Sequence, residues 1–491
     1  MFYSQELFEK IVEYTNLSAA TKRTADPEYH NGSWTDVTVE EMKAYYGILL
    51  LMEVMTFERD ELYWYNNEKY WVIGSKIGEI MTRDRYIQIK RYLHFSDDRN
   101  NNDDKLHKVR MILDTLRSSF QQEYIPHQHV SVDEAMIPFK GRLGMKQYMK
   151  DKPIKFGIKM WVAADAVTAY CHNFEIYVGR NNDVIINRKL GLSSRVVIGM
   201  TKPLENKGYV IYTDNFYTSP TLADYLYNTY LCGTVRPSRK GYPKAMIPTA
   251  RDARRMPRGT SDWLMCGPLL AQYWKDIRLM YYLASYHRPE EDDLVTTRKN
   301  KDGTEVEIPV TPTVKGYAAY MAGVDRLDQM SKMNKSKKSL RWYRKIEIRL
   351  REIALYNSYI LEGTVLDHNP RNKRKRDMLS YRLDVAHQLI GDYRQERRGF
   401  KRARSLDAQP EIRLDEKSHW PAGTGSGNTV CVLCNKKHVL YKNSHPGCSV
   451  AENPMKRTKT TMKCEKCNVS LCCNARRTCF KDYHTKVYYW Q

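Results

Sequence analysis

The chain has 491 residues, with 80 Lys+Arg against 57 Asp+Glu, a formal charge of +23 and a pI near 9.4. That length is too great for one core and implies two to four domains. The basic excess favours a polyanionic partner, nucleic acid above all, or an anionic membrane surface. No apolar run approaches the roughly 20 residues that span a bilayer.

The opening MFYSQELFEK lacks a basic-then-apolar signal pattern, so the chain reads as soluble and intracellular. Phe2, Leu7, Phe8, Ile11, Val12 and Tyr14 recur near helical spacing and predict a helix over 2–22. A second runs from Val39 through Met52, a third from Arg83 through Leu93, and a fourth over His107 to Phe120. The first 130 residues are thus expected to be mostly helical.

The helical rhythm breaks at Val130. Lys140, Arg142, Lys146, Lys150, Lys152 and Lys155 follow, with Phe139, Tyr148 and Phe156 interleaved. Such a stretch suits a phosphate backbone; a solvated basic face is the competing reading.

Gly157 to Asp165 reads as a strand ending in a carboxylate, and Thr168 to Val178 as its antiparallel neighbour. A helix over Arg195 to Leu204 precedes the strand Tyr209 to Tyr212, which ends in the polar turn Thr213-Asp214-Asn215. A helix over Pro220 to Tyr230 and a strand over Leu231 to Val235 complete a mixed α/β domain. Residues 236–312 interrupt it as an insertion, with a strand-like run at Arg278 to Tyr286.

Gly316 to Met330 is helical again and carries Asp325 and Asp328 at i and i+3, on one helix face. Stacked like charges repel unless a cation or a basic group lies opposite. A basic run from Lys332 to Arg344 follows, holding Arg341 and Trp342, then a long amphipathic helix over Ile346 to Leu361. RNKRKR at 371–376 suits a nuclear import signal or a phosphate patch. A charged linker runs from Arg397 to Lys417, and Gly423 to Gly427 is a flexible joint.

Two chemistries emerge. Asp165 and Asp214 at strand ends, with Asp325 on a helix, are acids that one sheet would bring together to hold Mg²⁺ or Mn²⁺. Two such ions support phosphodiester transfer. At the other end of the chain, eight of the 11 cysteines lie after Gly427. Cys431-x2-Cys434 and Cys464-x2-Cys467, with Cys472, Cys479 and His484, form a pattern for two zinc ions. Eight ligands are needed, and His438, His445, Cys448 and Cys473 compete for the eighth place.

The segments SVDEAMIPFKGR, KQYMKDKPIKFGIKMW, YTDNFYTSPTLADYL and GVDRLDQM resemble the piggyBac family of DNA transposases and their domesticated derivatives, over nearly the whole chain. The terminal CEKCNVSLC…CFKDYHT is similar to that family's cysteine-rich zinc domain. The resemblance implies an α/β, RNase H-like catalytic core (156–236 and 313–335) interrupted by an insertion domain at 237–312. It implies a helical dimerisation and DNA-binding region (1–155 and 336–415), a linker (416–429) and a zinc domain at 430–491.

By resemblance, the catalytic acids fall on Asp165, Asp214 and Asp325, with Asp328 as a fourth. The implied activity is Mg²⁺-dependent cut-and-paste transposition in the nucleus by a homodimer, through a hairpin intermediate and joining at TTAA. Double-stranded transposon-end DNA is the partner, with Lys140, Arg142, Arg341 and Trp342 as candidate contacts and the zinc domain reading the terminal repeats. An expectation of a different class is a domesticated DNA-binding protein without transposition. Two departures stand out. Family members often carry a long acidic segment before the first helix, and they often read Gly-Gly-Val-Asp where Ala322-Gly323-Val324-Asp325 stands here.

Overall fold

Hydroxyl caps set where the N-terminal helices begin. Ser4 accepts from the Leu7 N–H at the head of α1 (Gln5–Ala25), Thr38 from Glu41 at α2 (Val39–Val54), and Thr82 from Arg85 at α4 (Arg83–Tyr92). The computed structural model describes residues 2–490 except 29–33, 65–75, 100–102, 151–153, 180–189, 227, 290, 292–293, 301, 333–338, 368–376, 396–412, 416–417, 425–427, 446–447 and 450. RNKRKR, Lys152, Lys335, Lys337 and Lys338 lie outside the described residues. The chain divides into two units, Met1–Gln395 and Glu396–Gln491.

In the first unit, α1, α2, α3 (Ile77–Ile80), α4 and α5 (Arg110–Gln122) share one apolar core with the later helix α11 (Trp342–Asp367). Charges inside this bundle are paired, as burial requires. Arg85 grips Glu41 with two hydrogen bonds of 2.8 and 2.5 Å, and Glu53 joins Arg351 of α11 to Arg382 of α12 (Met378–Ile390).

A mixed sheet follows. Its strands are β1 (His129–Pro138), β2 (Gln147–Tyr148), β3 (Phe156–Asp165), β4 (Cys171–Ile176), β5 (Val210–Thr213), β6 (Tyr230–Thr234), β7 (Ser261–Cys266), β8 (Leu269–Lys275) and β9 (Leu279–Ala284). Their order is β2-β3-β1-β5-β6-β9-β8-β7, with β4 also on β3. β1, β5 and β6 are parallel; β3 runs antiparallel to β1. The sheet therefore begins at His129, inside the stretch 1–155 expected to be helical, and β1 lies centrally within it. The interrupting segment is hydrogen-bonded onto the same sheet, because β9 pairs with β6.

Alternation sorts β1 between two layers. Val130 and Val132 face one layer, with α6 (Leu192–Thr201) and α7 (Pro220–Tyr225). Ala135 and Ile137 face the other, where α10 (Gly323–Ser331) packs. α7 ends at Tyr225, five residues earlier than the sequence periodicity suggests. The helix expected over 316–330 is two helices, α9 (Pro312–Tyr320) and α10, meeting at Met321-Ala322. A separate two-stranded sheet joins β10 (Val295–Lys299) to β11 (Glu305–Pro309). Short helix α8 (Ala250–Arg255) carries the basic loop.

Among the described residues, the second unit contains three two-residue or three-residue strand segments besides β12 (Pro421–Gly423), which pairs with Met462–Cys464, and the helices Val432–Ser444 and Cys479–Thr485. Among the described residues, no helix is long and apolar enough to cross a membrane.

Candidate active site and metal centres

The strand register assembles an acid pair. β1 and β5 run parallel with Val132 opposite Thr213, so the next positions, Asp133 and Asp214, are neighbours at the carboxyl ends of adjacent strands. Alternation turns both toward the α9–α10 layer: Asp133 follows Ser131, and Asp214 follows Val210 and Tyr212, which pack against Tyr317 and Tyr320 of α9. The two carboxylates act on common neighbours. Burial first, then Asp214 and Asp133 among other groups, raises Tyr317 above its usual range. Burial first, then Glu134, Asp133 and Asp214, does the same to Tyr217.

The loop after β5 is tightly folded. Asp214 Oδ1 accepts from the Phe216 N–H at 2.9 Å, and its carbonyl accepts from Thr218 Oγ1 at 2.8 Å. Arg239 donates to the carbonyls of Asn215 and Phe216, at 2.5 and 2.8 Å.

α10 carries the third acid over the same layer. Its first residue, Gly323, sits against β1: a Cβ there would lie 2.3 Å from Ser131 Oγ and 3.2 Å from the Asp165 carbonyl. Only glycine permits that approach. Ala322 is exposed, so a side chain is tolerated where the family often has the first glycine. Asp325 follows two residues after Gly323, in the first turn and exposed, as Asp133 follows two residues after Ser131.

Asp165 does not join this group, which corrects the expectation that it converges with Asp214. It pairs with Val130, three places along β1 from Asp133, about 10 Å of strand. The reason is strand direction: the end of an antiparallel strand lies at the opposite edge of the sheet from the ends of β1 and β5. Its carboxylate is fully buried and already satisfied. Oδ2 accepts from the His127 N–H at 2.8 Å and the Tyr124 hydroxyl at 2.9 Å, with His127 Nδ1 also at 2.8 Å. Oδ1 accepts from the N–H groups of Val167 and Thr168, at 2.7 and 3.1 Å. Burial alone would raise this carboxyl, but the His127, Thr168 and Val167 hydrogen bonds hold it below the usual range. Asp165 is built as the clasp of a turn.

Asp133 carries no mark in the sequence: it sits mid-strand between Val132 and Glu134, with no turn residue beside it. The clue was the parallel register, which one sequence does not reveal. Asp328 is engaged elsewhere: Lys332 Nζ and Arg349 Nη2 each lie 2.6 Å from its oxygens, tying α10 to α11.

The candidate DNA contacts spread over one basic region and its margin. Lys140 and Arg142 are exposed between β1 and β2. Arg341 donates to the Arg91 carbonyl at 2.7 Å. Trp342 is half-buried and lines a cleft of about 620 Å³ with Lys105, His107, Lys108 and Met145.

In the second unit two ligand groups form. Cys431, Cys434, Cys472 and Cys479 have their sulfurs within 4.8 Å of one another; so do the ligand atoms of His419, Cys464, Cys467 and His484. The distances suit tetrahedral zinc. Cys434 Sγ lies 3.9 Å from Cys472 Sγ and 3.6 Å from Cys479 Sγ, against about 3.8 Å for thiolates sharing one Zn²⁺ with 2.3 Å bonds. His419 Nδ1 is 3.5 Å from Cys464 Sγ and 3.4 Å from Cys467 Sγ.

Supporting groups orient both imidazoles. Asp415 lies 3.1 Å from His419 Nε2, and the Phe480 carbonyl 2.8 Å from His484 Nδ1, so the other nitrogen of each ring faces the sulfurs. Arg477 donates to Cys434 Sγ at 3.3 Å.

His419 thus completes the second group of four, and the four competitors lie elsewhere. His438 bonds the Met455 carbonyl, His445 stacks on Tyr441, Cys448 bonds the Ser449 carbonyl, and Cys473 is exposed. No spacing signal marks His419: it precedes the first cysteine pair by 12 residues, in the stretch expected to be a linker.

Comparison with known proteins adds a lineage. A family model described as Transposase IS4 matches residues 1–359. The chain is 26% identical over 497 residues to human "PiggyBac transposable element-derived protein 3", covering 99% of this chain and 75% of that one. It is 22% identical over 458 residues to human "PiggyBac transposable element-derived protein 2", covering 89% and 72%. A solved structure, the "piggyBac transposase synaptic complex with hairpin DNA", is similar with a TM-score of 0.67 at 26% identity, covering 80% of this chain and 79% of the other.

Proposed function

The chain belongs to the Transposase IS4 family in its piggyBac form, and we propose from this that it is a metal-dependent DNA transposase, cutting at transposon ends and joining them at TTAA. The observation that carries the reading is the register of Asp133 beside Asp214, under the helix that bears Asp325. Order supports an RNase H-like core as well: β4-β3-β1-β5-β6 places three parallel strands beside an antiparallel pair.

Two carboxylates on adjacent strands and one face repel, and a divalent cation relieves that cost. Asp133, Asp214 and Asp325 would hold Mg²⁺ or Mn²⁺. Bound there, such ions would supply Lewis-acid chemistry, polarising a scissile phosphate and activating a water or 3′-hydroxyl. The chain's own part is to fix the acids on rigid strands and to hold DNA with the basic hairpin. Asp328 supports the third acid through its grip on Arg349.

The second unit would bind two zinc ions and terminal-repeat DNA. The similar transposase was solved on DNA, which supports a double-stranded DNA partner, and a homodimer in the nucleus suits that role. A second reading is a domesticated DNA-binding protein without transposition, favoured by the human relatives described as transposable element-derived. Mg²⁺-dependent nicking of the chain's own end DNA separates the two. Nicking lost in Asp133→Asn with DNA binding retained supports the enzyme; a folded wild-type protein that binds ends without nicking them supports the second reading.

A further inference from the structure

Two large aromatic side chains stand in solvent at the end of the sheet toward which β1 runs past Asp133. Tyr148 of β2 is 58% exposed and Phe156 of β3 is 48% exposed. They face each other in register, with ring centroids 4.8 Å apart and planes inclined at 42°. One exposed aromatic is unremarkable on a protein surface. A registered pair on a rigid hairpin is a different object. Its frame is fixed: the Met149 N–H donates to the Lys155 carbonyl at 2.9 Å, and the N–H of buried Phe139 donates to the Phe156 carbonyl at 3.4 Å.

The surroundings select the occupant. Between Phe139 and Phe156 the sequence carries six Lys or Arg and one acid. Of these cations, Lys140, Arg142, Lys150 and Lys155 are exposed. Among the described residues none of these four pairs with an acid, and apolar rings amid such charge suit a ligand with anionic links and flat apolar faces, which describes unpaired nucleotides. A paired duplex hides its base faces and offers mainly phosphates to such a surface.

Position ties the pair to the acids. Val162 lies opposite Asp133, and Phe156 is six residues back along β3, on the same face by alternation, about 20 Å away. The direction is the one in which β1 continues past Asp133 to Pro138. A DNA strand whose phosphate reached the acids and whose end was unpaired would have this hairpin within reach on the same face.

We infer that Tyr148 and Phe156 form a stacking platform for unpaired bases of the DNA strand that the acids act on. This rests on the transposase reading and adds what that reading lacks, a place for bases that have left the duplex.

The test uses the full chain and two labelled end DNAs, one blunt and one extended by an unpaired strand carrying 2-aminopurine. Wild type is expected to bind the extended DNA about tenfold more tightly than the blunt one and to quench the 2-aminopurine. Tyr148→Ala with Phe156→Ala should erase both effects while blunt-duplex affinity stays within about twofold, and Tyr148→Trp with Phe156→Trp should restore both. Both side chains are exposed, and unchanged thermal melts verify the fold. If the alanine variant keeps the preference and the quenching, the platform is overturned and the transposase reading stands. If wild type binds neither DNA, the transposase reading fails, and the platform with it.

Discussion

Gly323 and Ser131 are so closely packed that a single added carbon on the glycine would meet the serine hydroxyl at 2.3 Å. That contact seats the first turn of α10, and with it Asp325, on the strand that carries Asp133.

Gly323→Ala should therefore lift the helix rather than stiffen it. Overpacking of this kind costs about 1–3 kcal/mol, and nicking should fall by more than the loss of folded protein explains. Ser131→Ala removes the hydroxyl that clashes, so the double variant should recover part of both losses. Melting temperature and nicking rate, measured on all four proteins, check the coupling.

Asp133 and Asp165 should fail in different ways. Asp133→Asn and Asp214→Asn are expected to abolish nicking at nearly unchanged stability. Asp165→Asn should lower stability by about 2 kcal/mol, since an amide cannot accept from all the donors around that buried carboxylate. The pH dependence follows from its depressed carboxyl. Stability from Asp165 is present above the unfolded value near 3.9 and drains away as pH falls through the lower folded value. Denaturant titrations from pH 6 to pH 3 should show a steeper decline for wild type than for Asp165→Asn. Full nicking by Asp133→Asn would refute its place in the site.

Glu352 offers a titration of opposite sign. Burial raises it to about 7, with Arg349 only partly compensating. A carboxyl raised on folding favours the native state fully below its unfolded value near 4.3, and that benefit is lost as pH climbs through about 7. Glu352→Gln should consequently be more stable than wild type at pH 8, by about 2–3 kcal/mol, with the gap closing by pH 5. An equal gap at both pH values would count against a raised carboxyl.

Metal content should resolve the two ligand groups. Purified protein is expected to carry two zinc ions per chain. His419→Ala should release one and leave the four-cysteine group loaded, whereas His438→Ala should release none. Strong chelation should unfold the second unit, because small modules draw folding energy from their metal. Atomic emission on dialysed protein gives the count directly.

Much of the architecture was legible in the chain. Periodicity located α1, α2, α4 and the long α11, and the run before Asp214 marked β5. The cysteine spacings pointed to seven members of the two ligand groups. What escaped was pairing. Asp165 looks like a strand-end acid because it is one, yet β3 runs against β1, and direction decides which edge an end occupies. Asp133 and His419 carry no local mark, since each gains its neighbours only through contacts 81 and 45 residues distant along the sequence, to Asp214 and Cys464. The break at Met321-Ala322 and the early end of α7 are tertiary outcomes that propensity does not register.

The alternation of ligands along the second unit carries a consequence for biosynthesis. Cys479 completes one group and His484 the other, only five residues apart. Neither group of four is complete without this stretch, so the two groups form or fail together. A premature stop anywhere beyond Cys472 and before Cys479 would cripple both centres, leaving the acid-bearing unit translated but its partner module unable to set.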